Sequence, residues 1–174
     1  MTLVFGSSQV RYAADGDAEA LYELSRPFMD SGELRRRDIA DYRSAGDRFL
    51  LVDGPDGPEG CLALRVLETE EGWQPVPGLL HNFCVRDGRH GLGLGARLLE
   101  AQLLEASRAG LRHLFTASTG TGALFRRHGF VEVPPTLAPR AWASGLDPTR
   151  GSRVYLRRST GPGARPGLPT RDVS

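Results

Sequence analysis

A chain of 174 residues, 40% hydrophobic and 25% charged, is long enough for one domain with a substantial core, or one domain and a tail. Its net charge is +1, so no field of one sign covers the molecule to recruit nucleic acid or an anionic membrane. No apolar run approaches the ~18 residues of a membrane span, and MTLVFGSSQV is too short and uncharged for a signal peptide, so a cytoplasmic location is expected.

The first predicted strand is Val10 to Ala13. A helix follows, with Asp15 or Asp17 as its cap and Ala18, Leu21, Leu24 and Phe28 on one stripe; Gly32 closes it. LRRRDIADYRSAG predicts a second, shorter helix capped by Asp38 and ended by Gly46. DRFLLVD and CLALRVLETE are strand candidates, joined through DGPDGPEG as a β-hairpin. GWQPVPG reads as a loop and LLHNFCV as a strand. Next comes a helix with Leu94, Leu98, Leu99, Leu103, Ala106 and Ala109 on one side, ended by Gly110. HLFTAS, a short helix around TGALFRRHGF, and the strands FVEV and SRVYLRR complete the pattern; the proline-bearing stretch from Pro134 to Pro148 bridges the last two strands.

The order β-α-α-β-β-β-α-β-α-β-β predicts a single α/β (α+β) domain on a mixed sheet over residues 8–158. Residues 159–174, poor in apolar anchors, are expected to be a disordered tail. Cys61 and Cys84 lie in apolar strands and read as buried free thiols. All basic residues are arginine, a bias that suggests a GC-rich coding sequence rather than a function.

The most informative stretch is VRDGRHGLGLGARLLEAQ, where glycine occupies positions 88, 91, 93 and 95 between a strand and a helix. Such a turn aims main-chain N–H groups and the positive end of a helix dipole at one point, which suits a pyrophosphate. The bland alternative is a tight turn and nothing more. Gly91-Leu92-Gly93-Leu94-Gly95-Ala96 also satisfies G-x-G-x-x-G/A, the dinucleotide fingerprint. That fingerprint expects an acidic residue roughly 20 positions on, whereas the next strand ends Thr116-Ala117-Ser118-Thr119. A nicotinamide site is therefore the weaker reading.

His90-Gly-Leu-Gly93-Leu-Gly95 resembles the R/Q-x-x-G-x-G/A loop of the GNAT superfamily of N-acetyltransferases, with His90 where arginine or glutamine is usual. Three further stretches narrow the resemblance to the acetyltransferase domain of bacterial N-acetylglutamate synthases: LSRPFMDSGELRRRD, LFTASTGTGALFRRHGF, and Arg150-Gly-Ser152-Arg-Val. Together they cover residues from about 10 to 157, and the kinase-like regulatory domain of the longer synthases has no counterpart in this sequence.

The resemblance implies acetyl-CoA as co-substrate, no metal, and transfer of acetyl to the α-amine of glutamate or a similar acidic amino acid, an activity associated with arginine biosynthesis. It implies coenzyme A contacts from Phe83, Cys84, Val85, His90, Gly91, Leu92, Gly93, Leu94, Gly95, Ala96, Thr119 and Phe125, and substrate contacts from Arg37, Arg140, Arg150 and Ser152. Guanidinium pairs with carboxylate two bonds at a time, which fits those arginines to an acidic acceptor. The synthases' glutamate base is replaced by Leu79. His81, two residues on and on the same side of the strand, is the candidate base, against the alternative of a histidine satisfied by a neighbouring strand. Ser118 is the candidate for helping the thiolate depart, since Phe125 stands where many of these enzymes carry tyrosine. Other readings are a different small amine or a peptide N-terminus as acceptor, and a non-catalytic acyl-CoA binder. A homodimer is compatible with the sequence; nucleic acid and membrane are not expected partners.

Overall fold

The computed structural model describes residues 9–68, 71–73 and 75–159. The expected tail lies outside the described residues apart from Ser159. Strand β1 (Val10–Tyr12) leads into helix α1 (Ala18–Asp30), then β2 (Asp47–Gly54), β3 (Gly57–Val66) and β4 (Gly78–Val85). Helix α2 (Leu94–Arg108), β5 (His113–Ser118), α3 (Ala123–Arg127), β6 (Val131–Val133), α4 (Arg140–Ala143) and β7 (Arg153–Arg158) follow. The strands make one seven-stranded sheet in the order β1-β2-β3-β4-β5-β7-β6, antiparallel except for the β4–β5 pair.

Alternation along the strands divides the core between the two faces. Leu50, Val52, Leu62, Leu64, Leu80 and Leu114 pack with Leu94, Leu98 and Leu99 of α2 and Phe125 of α3. On the other side Leu51, Cys61 and Ala63 meet Ala18, Leu21 and Leu24 of α1. Further along, Leu79, Phe115, Val154 and Leu156 are covered by Ala138 and by Trp142 of α4. The α1 stripe is thus the expected one, with Phe28 partly buried against it. In α2 the buried set includes Gln102, whose Nε2 donates to the carbonyls of Arg48 and Leu62 at 2.8 Å each, while Ala109 is exposed.

Two expectations are corrected. The second helix is a single 3-10 turn, Ile39–Arg43, in which Asp41 accepts a bond from the Asp38 N–H at 2.8 Å. Ile39 and Tyr42, three residues apart, fall on one side of such a turn and both reach the α1 core. The segment after Pro134 is more ordered than a plain bridge: it holds the 3-10 turn Pro135–Leu137 and then α4, and it brings Ala138 and Trp142 onto Phe115. Among the described residues no helix is long and apolar enough to cross a membrane.

Candidate active site

A cleft arises where two neighbouring strands separate. The parallel ladder between β4 and β5 joins only Gly78 with Leu114 and Leu79 with Phe115, and Thr116 Oγ1 donates to the Leu80 carbonyl at 3.0 Å where the ladder stops. β4 runs on to Val85 and β5 to Ser118, and a cavity of about 1010 Å³ lies between their ends. A bulge shapes the β4 wall. Cys61 pairs with Cys84 and Ala63 with His81, so Asn82 and Phe83 both stand opposite Leu62. Asn82 takes φ +52°, a conformation most side chains resist. It is held there: its Nδ2 donates to Ser25 Oγ at 3.0 Å and its Oδ1 accepts from the Tyr42 hydroxyl at 3.2 Å.

The glycine turn forms one end. Gly88, Gly91 and Gly93 have φ of +81°, +82° and +76°, and a Cβ added at any of them would meet nothing within 4 Å. Backbone conformation, not crowding, therefore demands glycine there. Gly93 is the N-cap of α2, and Gly91, Gly93, Leu94, Gly95 and Ala96 line the cleft. Gly95 is different, because its Cβ would press on Leu124 Cδ2 at 3.3 Å and Phe83 Cζ at 3.4 Å. A helix start and glycine main chain facing a cavity have the chemistry of a diphosphate cradle. His90 also lines it, with 64% of its side chain exposed and its Nε2 3.7 Å from Asp87. Leu92 points away: it is exposed and does not line the cleft.

The middle of the cleft is aromatic on one wall and polar on the other. Phe83 and Phe125 meet edge to face at 5.7 Å, and Phe125 packs on Phe130 at 5.4 Å. Ser118 and Thr119 line the opposite side, and Ser118 Oγ accepts a bond from the Gly120 N–H at 3.2 Å. Val85 and Cys84 complete the β4 edge. The Cys84 thiol is buried 3.7 Å from Cys61 Sγ; that contact, together with burial, pushes it well above the usual thiol range. It is a packed thiol and unsuited to be a nucleophile.

The other end is built by side chains. His81 lines the cleft with 10% of its side chain exposed. Its Nε2 lies 2.8 Å from Asp47 Oδ1 and its Nδ1 2.9 Å from the Arg37 guanidinium. Asp47, whose side chain is wholly buried, is gripped by Arg65 through two bonds of 2.7 and 2.6 Å. Burial alone would raise the Asp47 carboxyl, but the bonds from His81 and Arg65 hold it well below the usual carboxylate range. Burial lowers His81, as do the charges of Arg37 and Arg65, and the Asp47 bond offsets this only in part. His81 is thus neutral and oriented.

The structure gathers His81, Ser118 and the residues of the glycine turn around one cleft and sets Arg37 directly on His81. It does not gather every expected substrate residue. The Arg150 guanidinium donates to the carbonyls of Gly32 and Glu33 at 3.1 and 2.7 Å, beside Glu33 and Leu34 on the cleft rim. Ser152 lies in a separate recess with Glu132 and Pro134, and Arg140 begins α4, which covers Phe115 from elsewhere on the sheet. The sequence analysis missed Asp47 and Arg65. They are cross-strand partners, opposite charges facing each other on β2 and β3, a signal readable only once the hairpin register is known.

The chain is similar in sequence and in fold to known proteins. Amino-acid acetyltransferase of Vibrio cholerae is 29% identical over 150 residues, covering 86% of this chain and 33% of that protein. The Pseudomonas aeruginosa enzyme of the same name is 32% identical over 148 residues, 84% of this chain and 33% of its own length. The chain thus spans about a third of the curated relatives it matches. Among solved structures, N-acetylglutamate synthase from Neisseria gonorrhoeae, complexed with coenzyme A and N-acetyl-glutamate, superimposes with a TM-score of 0.73 at 25% identity, covering 86% of this chain and 34% of that one. The Mycobacterium tuberculosis protein Rv2747, in complex with CoA and NLQ, shares the fold at a TM-score of 0.68 and 21% identity, over 87% and 99% of the two chains. The family described as Acetyltransferase (GNAT) domain matches residues 45–132, which run from β2 through the cleft and its glycine turn to β6, and the chain belongs to that family.

Proposed function

We propose that this protein is an amino-acid N-acetyltransferase that moves acetyl from acetyl-CoA to the α-amine of glutamate or a similar acidic amino acid. The observation that carries the reading is the two-ended cleft, with a glycine-rich main-chain turn at His90–Ala96 at one end and, at the other, His81 with Arg37 bonded behind it, joined by the free edge of β4. Acetyl-CoA is the acyl donor, and its diphosphate fits the open glycine turn.

The chain's residues divide the work of a direct attack. The cradle fixes the donor, and the phenylalanine-lined edge of β4 places the thioester beside its own main-chain amides at Phe83 and Cys84. These polarise the carbonyl as charge develops on oxygen. His81 takes a proton from the incoming ammonium, the amine nitrogen bonds to the carbonyl carbon, and the carbon–sulfur bond breaks as the nitrogen loses its second proton to water. A thiolate with a pKa around 8.5 needs only hydrogen-bond help to leave, which Ser118 or Thr119 supplies. Arg37 and Arg150, on the acceptor side, attract carboxylates.

The test is release of free thiol from acetyl-CoA in the presence of single amino acids. Release stimulated by glutamate or close analogues supports the reading. One observation favours a second: both ring nitrogens of His81 are engaged, as a non-catalytic acyl-CoA binder would tolerate. Binding of acetyl-CoA with no acceptor-dependent release would decide for that one.

A further inference from the structure

The protonation of His81 follows from its neighbours. A guanidinium offers only donors, so the nitrogen it touches, Nδ1, presents its lone pair. An ionised carboxylate offers only acceptors, so Nε2 carries the hydrogen and donates it to Asp47. Arg65 holds Asp47 from its other side and fixes the carboxylate in place. The ring is thereby set in one tautomer, with its basic lone pair stoppered by Arg37.

The stopper is weakly held. Arg37 is half-buried and burial lowers its pKa more than the Asp47 and Asp41 carboxylates raise it, and its guanidinium bonds to an uncharged ring. A carboxylate accepts two parallel, charge-assisted bonds from a guanidinium, each about twice as strong as a bond between neutral groups. An acidic acceptor would therefore compete well for Arg37.

We propose that the acceptor's own carboxylate switches on the base: it draws Arg37 off His81 Nδ1, and the freed nitrogen takes the proton of the ammonium. Asp47 is the positioning residue that keeps Nδ1 the basic nitrogen. The step is balanced. An N–H bond of the ammonium breaks, an N–H bond forms at Nδ1, and the imidazolium so made faces the Asp47 carboxylate until its proton passes to the thiolate or to water. An amine without a carboxylate leaves the stopper in place, which makes the switch a filter for substrate. The groups facing the ring are Asp47 and Phe49 of β2, Arg65 of β3 and Arg37 of the segment before the 3-10 turn. The inference rests on the functional reading above.

The test uses the full chain labelled with ¹⁵N-histidine, with His81 assigned by its loss in His81→Asn. In the free protein the ring should be neutral with hydrogen on Nε2. Saturating glutarate, a dicarboxylate with no amine, should move its titration upward by about one pH unit or more. In Arg37→Met the midpoint should already be raised, and glutarate should add nothing. Kinetics give a second arm: Arg37→Met should lower kcat/KM for glutamate yet raise turnover of a plain alkylamine, a crossing that a purely structural role for Arg37 does not produce. Asp47→Asn should lower kcat at least about tenfold and shift the acid limb of the pH profile, with KM within about twofold. Should that variant fail to fold, the wild-type tautomer still decides. Hydrogen on Nδ1 in the free protein, or a ring indifferent to glutarate while glutamate releases thiol, overturns the inference. An intact switch with no amine stimulating release would instead overturn the functional reading.

Discussion

The two ends of the cleft are made of different materials. The glycine turn is main chain: Gly88, Gly91 and Gly93 adopt positive φ, project no side chain and stand in open space. The opposite end is side chain: His81 and Asp47 are buried and tied into a row with Arg37 and Arg65. A main-chain cradle tolerates sequence change as long as the backbone angles survive. A row built on a buried carboxylate tolerates almost none, since losing a partner leaves the Asp47 charge poorly paired in a poorly hydrated site. The common part of a reaction suits the first kind of end, and discrimination among acceptors suits the second.

Substitutions can break that contrast from either side. The largest effect is expected for His81→Ala, which should cut kcat by about 10²–10⁴-fold while leaving acetyl-CoA affinity near wild type, measured by steady-state kinetics and calorimetry. Unchanged turnover would remove the base from the mechanism. Next comes Gly91→Val combined with Gly93→Val. A β-branched residue at positive φ is strained by roughly 1–3 kcal/mol per site and puts methyl groups where the ligand would sit, so acetyl-CoA affinity should fall tenfold or more. The His81 spectrum should stay as it is.

Acid should act on the side-chain end. Folded His81 binds its proton at a lower pH than the ordinary histidine value of ~6.5, so the unfolded chain holds more protons across that interval and stability rises with pH there. Asp47, held below its ordinary value, adds stability that is present above ~4 and lost as pH falls further. Thermal melts from pH 8 down to 2 should therefore decline in two stages, and Asp47→Asn should blunt the lower one. The acid limb of kcat/KM, which reports the free enzyme, should lie below pH ~6.5 for the same reason. The smallest effect is expected at the cradle: His90→Arg adds a fixed charge at an exposed position and should tighten acetyl-CoA by at most about 1 kcal/mol, fading with added salt.

Sequence legibility follows the same division. The turn could be read from residue types because glycine at a strand-to-helix junction has few other uses, and α2 could be read from its leucine spacing. Ile39–Arg43 was misjudged because one turn of apolar spacing looks alike in an α-helix and a 3-10 helix. Ser152 is expected beside Arg150 because the two fall in one motif of the resemblance, yet the chain turns at Gly151, φ +62°, and sends them to different surfaces. His81 was singled out by its place on the strand, but neither of its partners is near it in sequence.

Local chemistry therefore settled, from the order of residues alone, the strands, the main amphipathic helices and the glycine turn, because each depends on neighbours a few positions apart. Folding decided the rest. The early parting of β4 from β5 opened the cleft, the bulge at Asn82 bent its wall, and the register of β2 on β3 brought Asp47 under His81. Those are contacts between residues 18 to 57 positions apart along the chain, and their geometry exists only when the sheet closes and α1 packs on it.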